Sequence, residues 1–284
     1  MVLSIQDYQD QVEDNMNSLI IDTKEIKNCL VQFIQETMQS AGFSKIVIGL
    51  SGGIDSALSC YLAVSALGAE NVCGIRMPYK TSSKGSLDDA QRVIDNLGIG
   101  SLTIPITDMV DPLFNQYPDM NQLRKGNIMA RMRMIVLYDQ SAAYNGLVIG
   151  TGNKTEILLG YTTLFGDSAC AFNPIGDLYK TQVRQLSKYM HIPDSIIKKS
   201  PSADLWQGQT DESELGFSYA DVDKLLYQLV ENNLTEEECI EQGFEKVFVT
   251  KVINIIRTSN FKRILPPIAS IGQKNIQDGI QHLL

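Results

Sequence analysis

The sequence predicts an α/β protein: a doubly wound parallel sheet flanked by helices, with a helical C-terminal part. Three observations carry this expectation. Short apolar segments alternate with amphipathic ones through the first half of the chain, the βαβ rhythm of a parallel sheet. Glycine-rich and polar turns fall where those apolar segments end, and an open parallel sheet binds its ligands at the C-terminal ends of its strands. Beyond about residue 215 the strand signals stop and only helical periodicity remains.

In chain order, Asp22 to Gln39 places Ile26, Leu30, Phe33, Ile34 and Met38 on one face of a helix. Strands are expected at Lys45–Leu50, Val72–Met77, Leu102–Ile106 and Leu147–Ile149, with helices near 56–67, 86–97 and 123–144 between them. From Asn127 to Ala143 the third of these helices is apolar on most of its circumference, carrying Ile128, Met129, Met132, Met134, Ile135, Val136, Leu137 and Tyr138. A helix of that kind is buried in a core or in an interface. C-terminal helices are expected near 218–232, 235–242 and 245–258. No internal repeat, low-complexity stretch or linker interrupts the pattern, so residues 1–284 read as a single domain.

Composition narrows the function. An apolar fraction of 44% and a charged fraction of 20% are ordinary for a soluble protein. The net charge is −9 and no block of five basic residues occurs, which disfavours a nucleic-acid partner. Cys29, Cys60, Cys73, Cys170 and Cys239 are widely spaced and form no C-x-x-C pair, as expected in a reducing cytoplasm. The acidic stretch Met1 to Asp14 is unlike a signal or transit peptide, and no apolar run reaches the roughly 18 residues that span a bilayer. A cytoplasmic protein with no membrane partner is the expectation.

The most informative segment is Gly49-Leu50-Ser51-Gly52-Gly53-Ile54-Asp55-Ser56, set between a strand and a helix. Paired glycines let a backbone turn tightly and bring its N–H groups onto an anion. Ser51 and Ser56 add hydroxyl donors. A carboxylate at Asp55 repels phosphate unless a cation lies between them, which points to Mg²⁺. The alternative for Asp55 is an N-cap of the following helix. The S-G-G-x-D-S pattern resembles the pyrophosphate loop of the N-type ATP pyrophosphatases, which have an adenine nucleotide alpha hydrolase-like fold.

Four further segments follow in order. They are Gly150-Thr151-Gly152-Asn153-Lys154-Thr155-Glu156, running on to Gly160–Asp167, then Asn173–Val183, Pro201-Ser202-Ala203-Asp204-Leu205, and Asp211–Gly216. Together with the loop they resemble NAD synthetase of the short type, over about residues 22–267. The resemblance implies ATP-dependent amidation of deamido-NAD with ammonia, through an adenylated carboxylate, releasing AMP and pyrophosphate. It implies ATP as co-substrate, Mg²⁺ and a homodimer. Only about 45 residues precede the loop, too few for a fused glutaminase, so free ammonia is the expected donor.

The same resemblance distributes roles. Gly49, Leu50, Ser51, Gly52, Gly53, Ile54, Asp55 and Ser56 would hold ATP, with Arg76, Thr151, Lys180 and Ser202 as further ATP contacts. Asp55 and Glu156 would hold Mg²⁺. Lys180 would compensate charge on the departing pyrophosphate, and Asp167 would take a proton from ammonium. Arg131 and Lys262 match deamido-NAD contacts, whereas Leu164 and Ala171 stand where other members place Lys and Asp. Each assignment has a plainer counterpart: a solvated first-turn glutamate for Glu156, an exposed helix lysine for Lys180, a turn aspartate for Asp167. His191 and His282 match no motif. Rival functions are another ATP pyrophosphatase, GMP synthetase-like or tRNA-modifying, and a non-catalytic nucleotide-binding protein.

Overall fold

Four parallel strands, β1 (Ile46–Gly49), β2 (Val72–Arg76), β3 (Gly100–Thr103) and β4 (Leu147–Val148), lie in the order β3-β2-β1-β4. The computed structural model describes residues 19–202, 210–269 and 271. The Met1–Asp14 stretch, His282, and Ala203, Asp204 and Leu205 of the fourth motif lie outside them. From β1 the chain steps through β2 to β3 on one side, and β4 then takes the opposite side of β1. The order therefore reverses between β1 and β4, and such a switch point leaves a crevice outside the carboxyl ends of the two strands.

Helices cover both faces of the sheet. On one side α1 (Thr23–Ala41) and α2 (Ile54–Leu67) share a core with the strands, in which Ile34, Met38, Leu58, Leu62, Ile46 and Ile48 are fully buried. α3 (Lys84–Leu97) contributes Val93 and Ile94 to it. On the other side α4 (Thr107–Gln116) and α5 (Gln122–Tyr144) bury Val110, Phe114, Met129 and Val136 against Val47, Cys73 and Ile75. Strands buried on both faces become near-continuous apolar runs, which is why the sequence marks β1 and β2 so clearly.

After β4 come α6 (Lys154–Leu159), α7 (Lys180–Tyr189), α8 (Asp194–Ile197), α9 (Asp211–Leu215), α10 (Tyr219–Val230), α11 (Glu236–Glu241) and α12 (Lys246–Thr258). The last three surround a second core of Val222, Leu225, Leu226, Cys239, Val249 and Val252 that also takes in Leu159 and Tyr179. The C-terminal helices are thus built onto the segment that carries α6 and α7.

The expected strands and long helices are present, and the differences lie in the edge strand and in helices the sequence did not mark, α4 and the short α8 and α9. β3 begins two residues earlier than expected and ends at Thr103, in register with Cys73–Arg76. It is an edge strand whose side chains are mostly exposed, so apolarity does not mark it. The ladder continues past it through Ile104 N–H to Arg76 C=O and Ile106 N–H to Pro78 C=O. α4 was not expected; Pro112 within it breaks the helical signal. α5 buries only part of its apolar circumference within the chain. Met129, Ala130 and Val136 are buried, but Ile135 is 54% and Tyr138 42% exposed. No helix among the described residues is long and apolar enough to cross a membrane.

Candidate active site

The glycine loop lies at the switch point. Leu50 N–H donates to Ile75 C=O, tying the end of β1 to β2 before the chain turns. Gly52 has φ +76°, and a Cβ there would stand 2.1 Å from the Ser86 carbonyl oxygen, so only glycine fits. Ser51 Oγ accepts from Gly53 N–H at 3.2 Å and lies 3.1 Å from Ser56 Oγ, which donates to Gly53 C=O at 3.0 Å. Leu50 and Ile54 are core residues at 5% and 7% exposure, so they can reach a ligand only through their backbone. The N-cap of α2 is Gly53, and no side chain caps it. The helix therefore offers its N-terminal amides and positive dipole end to an anion. The N-cap alternative for Asp55 is thereby corrected: Asp55 is the second helical residue and its carboxylate turns to other partners.

Those partners are Lys180 and Asn153. Lys180 Nζ bonds Asp55 Oδ2 at 2.6 Å and Glu156 Oε1 at 3.0 Å. Asn153 Nδ2 donates to Asp55 Oδ1 at 2.9 Å, and Asn153 N–H to Glu156 Oε2 at 3.3 Å. Residues from the first strand-helix turn, the fourth, and the start of α7 thus meet at one point. The lysine is 2% exposed, which rejects the exposed-lysine alternative. Glu156 is not a freely solvated first-turn residue either: it closes a capping box with Asn153 and pairs with the lysine.

Charge at this point is finely balanced. Burial pushes the Glu156 carboxyl up to about 7; Lys180 opposes that rise and Asp55 adds to it. Burial disfavours the Lys180 ammonium, yet Asp55 and Glu156 together hold its pKa above the usual lysine range. Each of the four carboxylate oxygens accepts one of the hydrogen bonds just described, and an oxygen of this kind has a further lone pair to offer. No group of three or more His, Cys, Asp or Glu among the described residues could hold a metal. Two carboxylates suit a small hard cation that completes its shell with phosphate oxygens and water.

The remaining sequence candidates divide into two groups. Near the loop, Arg76 ends β2 and donates from Nη1 to Gln91 Oε1, while its buried Nε has no partner. Thr151 is half-buried in the turn after β4, and Ser202 is exposed. Away from the lysine cluster, Asp167 accepts from Thr162 Oγ1 at 2.5 Å and Thr163 N–H at 2.9 Å. Those bonds are the turn-aspartate geometry. Lys262 Nζ donates to the carbonyls of Gly160 at 2.8 Å and Thr162 at 2.7 Å, and Arg131 Nε to that of Leu164 at 3.3 Å. The structure therefore groups Asp167, Arg131, Lys262 and Leu164 around the 160–167 loop. Ala171 is exposed and joins the edge of β4 through its N–H to Val148 C=O.

Sequence reasoning passed over several residues. Asn153 binds both carboxylates, and its N-x-x-Glu spacing is a capping-box signature that could have revealed it. Lys199 Nζ reaches Ser86 Oγ at 2.9 Å and, at 3.3 Å each, Gly52 C=O and Asp89 Oδ2, so it braces the glycine loop against α3. The ring of Tyr219 lies 5.1 Å from Lys180 Nζ, and its hydroxyl donates to the buried Asp211 at 3.1 Å. Tyr161 donates to the same carboxylate at 3.2 Å. Burial raises the Asp211 pKa against the pull of Lys180 and the two tyrosines.

Known proteins resemble this chain over most of its length. A family model described as NAD synthase matches residues 26–266. The chain is 53% identical over 256 residues to an NH(3)-dependent NAD(+) synthetase of Fusobacterium nucleatum, covering 90% of this chain and 99% of that one. Among solved structures, an NH3-dependent NAD synthetase from Campylobacter jejuni superposes with TM-score 0.76 at 38% identity, over 88% of this chain and all of the other. An NMN synthetase from Francisella tularensis superposes with TM-score 0.79 at 33% identity, over 89% of this chain and all of the other.

Proposed function

The chain belongs to the NAD synthase family, and from that premise we propose that it amidates deamido-NAD to NAD with ATP and ammonia. The observation that carries the reading is the buried Lys180 joined to Asp55 and Glu156 beside the glycine loop. A carboxylate resists ammonia because its oxygen is a poor leaving group. The nicotinate oxygen attacks the α-phosphorus of ATP, the bond to the bridging oxygen breaks, and pyrophosphate leaves. Ammonia then adds to the acyl carbon, AMP departs with the bonding pair, and a proton is lost as the amide forms.

The chain's own contribution is binding and charge compensation. The backbone of Ser51 to Ser56 and the α2 N-terminus would receive the pyrophosphate part, while Lys180 neutralises charge that accumulates on it. Asp55 and Glu156 would hold Mg²⁺, which supplies further neutralisation at the phosphates. Arg76, Thr151 and Ser202 would complete the ATP contacts. The 160–167 loop, with Arg131 and Lys262, would take deamido-NAD, and Asp167 would accept the ammonium proton.

Other parts of the reading have separate support. Ammonia as donor agrees with a relative named for it that this chain matches over 99% of its length. A single domain is supported by the family match across 26–266. Five free cysteines suit a cytoplasmic setting. Exposed Ile135 and Tyr138 on α5 suit a homodimer in which that helix is covered. Arg131 lies one turn before Ile135 on the same helix face, so the substrate loop would border the interface.

The test is purified protein with ATP, Mg²⁺, ammonium and deamido-NAD. NAD, AMP and pyrophosphate should appear in equal amounts. ADP and phosphate as the products would overturn the pyrophosphatase reading, and glutamine equal to ammonium would overturn the donor. Nicotinate mononucleotide serves as the competing substrate, and its preferential turnover would move the reading to the mononucleotide.

A further inference from the structure

Asp223 is a carboxylate with no exposure to solvent, carried by α10 in the C-terminal helical core. Its Oδ1 accepts from Thr155 Oγ1 at 2.5 Å, and its Oδ2 accepts from Thr181 N–H at 2.8 Å. Thr155 Oγ1 in turn accepts from Lys180 N–H at 3.0 Å. Thr155 is also fully buried and directly precedes Glu156; Thr181 directly follows Lys180. The bonds therefore close a ring. It runs from Asp223 through Thr155 to Glu156, across the Glu156–Lys180 ion pair, and back through the Lys180 backbone and Thr181 to Asp223.

Burying an unpaired charge is costly, and an apolar residue would fill this position without that cost. It would also leave Thr181 N–H, one of the first amides of α7, without an acceptor, and would remove the bridge by which α10 ties the start of α7 to Thr155 of α6. A carboxylate at a helix N-terminus is favourably placed against the dipole. Burial raises the Asp223 pKa, while Thr155, Thr181 and Lys180 pull it down. α6 has only six residues, too few to hold its own orientation, so contacts from outside must set it.

Resting on the function proposed above, we propose that Asp223, through Thr155, is a positioning residue that fixes Glu156 and Lys180 relative to each other. The C-terminal helical part thereby sets the charge pair on which pyrophosphate departure depends. Asp223 is fully buried, its carboxylate bonds Thr155 and Thr181 rather than the glycine loop, and it lies outside the motif segments, seven residues beyond Asp211–Gly216.

Three variants test this: Asp223→Asn, Thr155→Val and Thr155→Ser, with turnover measured well below each melting temperature. Asp223→Asn keeps the shape but can offer only one acceptor oxygen, and Thr155→Val removes the hydroxyl that serves both Asp223 and Lys180. Each should lower kcat by roughly tenfold or more, since small misplacements of catalytic groups cost that much. Calorimetric affinity for Mg·ATP should weaken with it, and KM for deamido-NAD should change by less than about twofold, because the 160–167 loop is not part of the ring. Thr155→Ser, which keeps the hydroxyl, should restore kcat and Mg·ATP affinity. If Asp223→Asn does not fold, the Val and Ser pair decides. Equal kcat and equal Mg·ATP affinity for Thr155→Val and Thr155→Ser, with only melting temperature differing, would overturn the proposal. Absence of NAD formation by the wild type would instead overturn the function on which it rests.

Discussion

The charge trio allows Asp55 and Lys180 to be separated by one experiment. Two carboxylates and one ammonium give it a formal charge of −1. Asp55→Asn brings it to 0: Lys180 keeps Glu156, and Asn153 can still donate to the new amide oxygen. The cost to folding should be roughly 2 kcal/mol, a single lost charged hydrogen bond. Lys180→Met brings the charge to −2 and leaves two carboxylates facing each other in a largely buried site. Breaking a buried pair costs roughly 3–5 kcal/mol, equivalent to a fall in Tm of about 10 °C for a chain of this size. Part of that cost is recovered if Glu156 takes up a proton, which burial already favours. Mg²⁺ should then discriminate. A cation that binds the folded state raises Tm by mass action, and the rise should be largest for Lys180→Met, intermediate for wild type and smallest for Asp55→Asn. Turnover of Asp55→Asn at saturating Mg²⁺ should fall about a hundredfold, the equivalent of roughly 3 kcal/mol. The assay is thermal melting with and without Mg²⁺, paired with NAD formation. A gain from Mg²⁺ in Asp55→Asn equal to that of wild type, with near-normal turnover, would refute the metal role.

Gly52→Ala should abolish ATP binding, because the methyl would meet the Ser86 carbonyl at 2.1 Å and the residue would keep φ +76°; unchanged KM for ATP would refute the constraint. Glu156→Gln should alter the pH dependence of stability. The folded-state pKa of Glu156 is raised from 4.5 to about 7, so its proton is held more tightly when folded and its contribution falls as pH rises across that window. Lys180 stays protonated there and adds no slope. Tm of Glu156→Gln minus that of wild type should therefore rise from pH 4.5 to pH 7, and a flat or falling difference would contradict the assignment. Ile135→Glu should convert a dimer to a monomer by sedimentation, since a charge would replace a side chain 54% exposed on the apolar α5 face; a dimer of unchanged stability would place the interface elsewhere.

What the sequence revealed depended on whether a signal was local. β1, the Gly52-Gly53 turn and α2 are contiguous, so apolar run, glycines and helical period identify them together. β3 was misplaced because an edge strand with exposed side chains lacks the apolar mark of a buried one. Pro112 hid α4. The exposure of Ile135 and Tyr138 was unreadable from α5 alone, because an apolar circumference does not say which side the sheet will cover.

Lys180 shows where the site's legibility ends and what could extend it. A lysine at a helix start ordinarily reads as solvated, and its partner Asp55 is 125 positions away. Yet Lys180 shares a face with Val183 and Ser187, at spacings of three and seven, and both are fully buried. A cation at the head of a buried stripe requires an anion, because an isolated buried ammonium is far too costly. The sequence therefore held the demand for a partner without naming it. Only the strand order, which places the turns after β1 and β4 side by side, determines that Asp55 and Glu156 meet that demand. The same logic applies to Asp223, which lies one position from Val222 in the buried face of α10. A charge inside an apolar pattern is thus the sequence mark of a long-range contact, and Lys180 and Asp223 end respectively beside the glycine loop and at the helices that carry its partners.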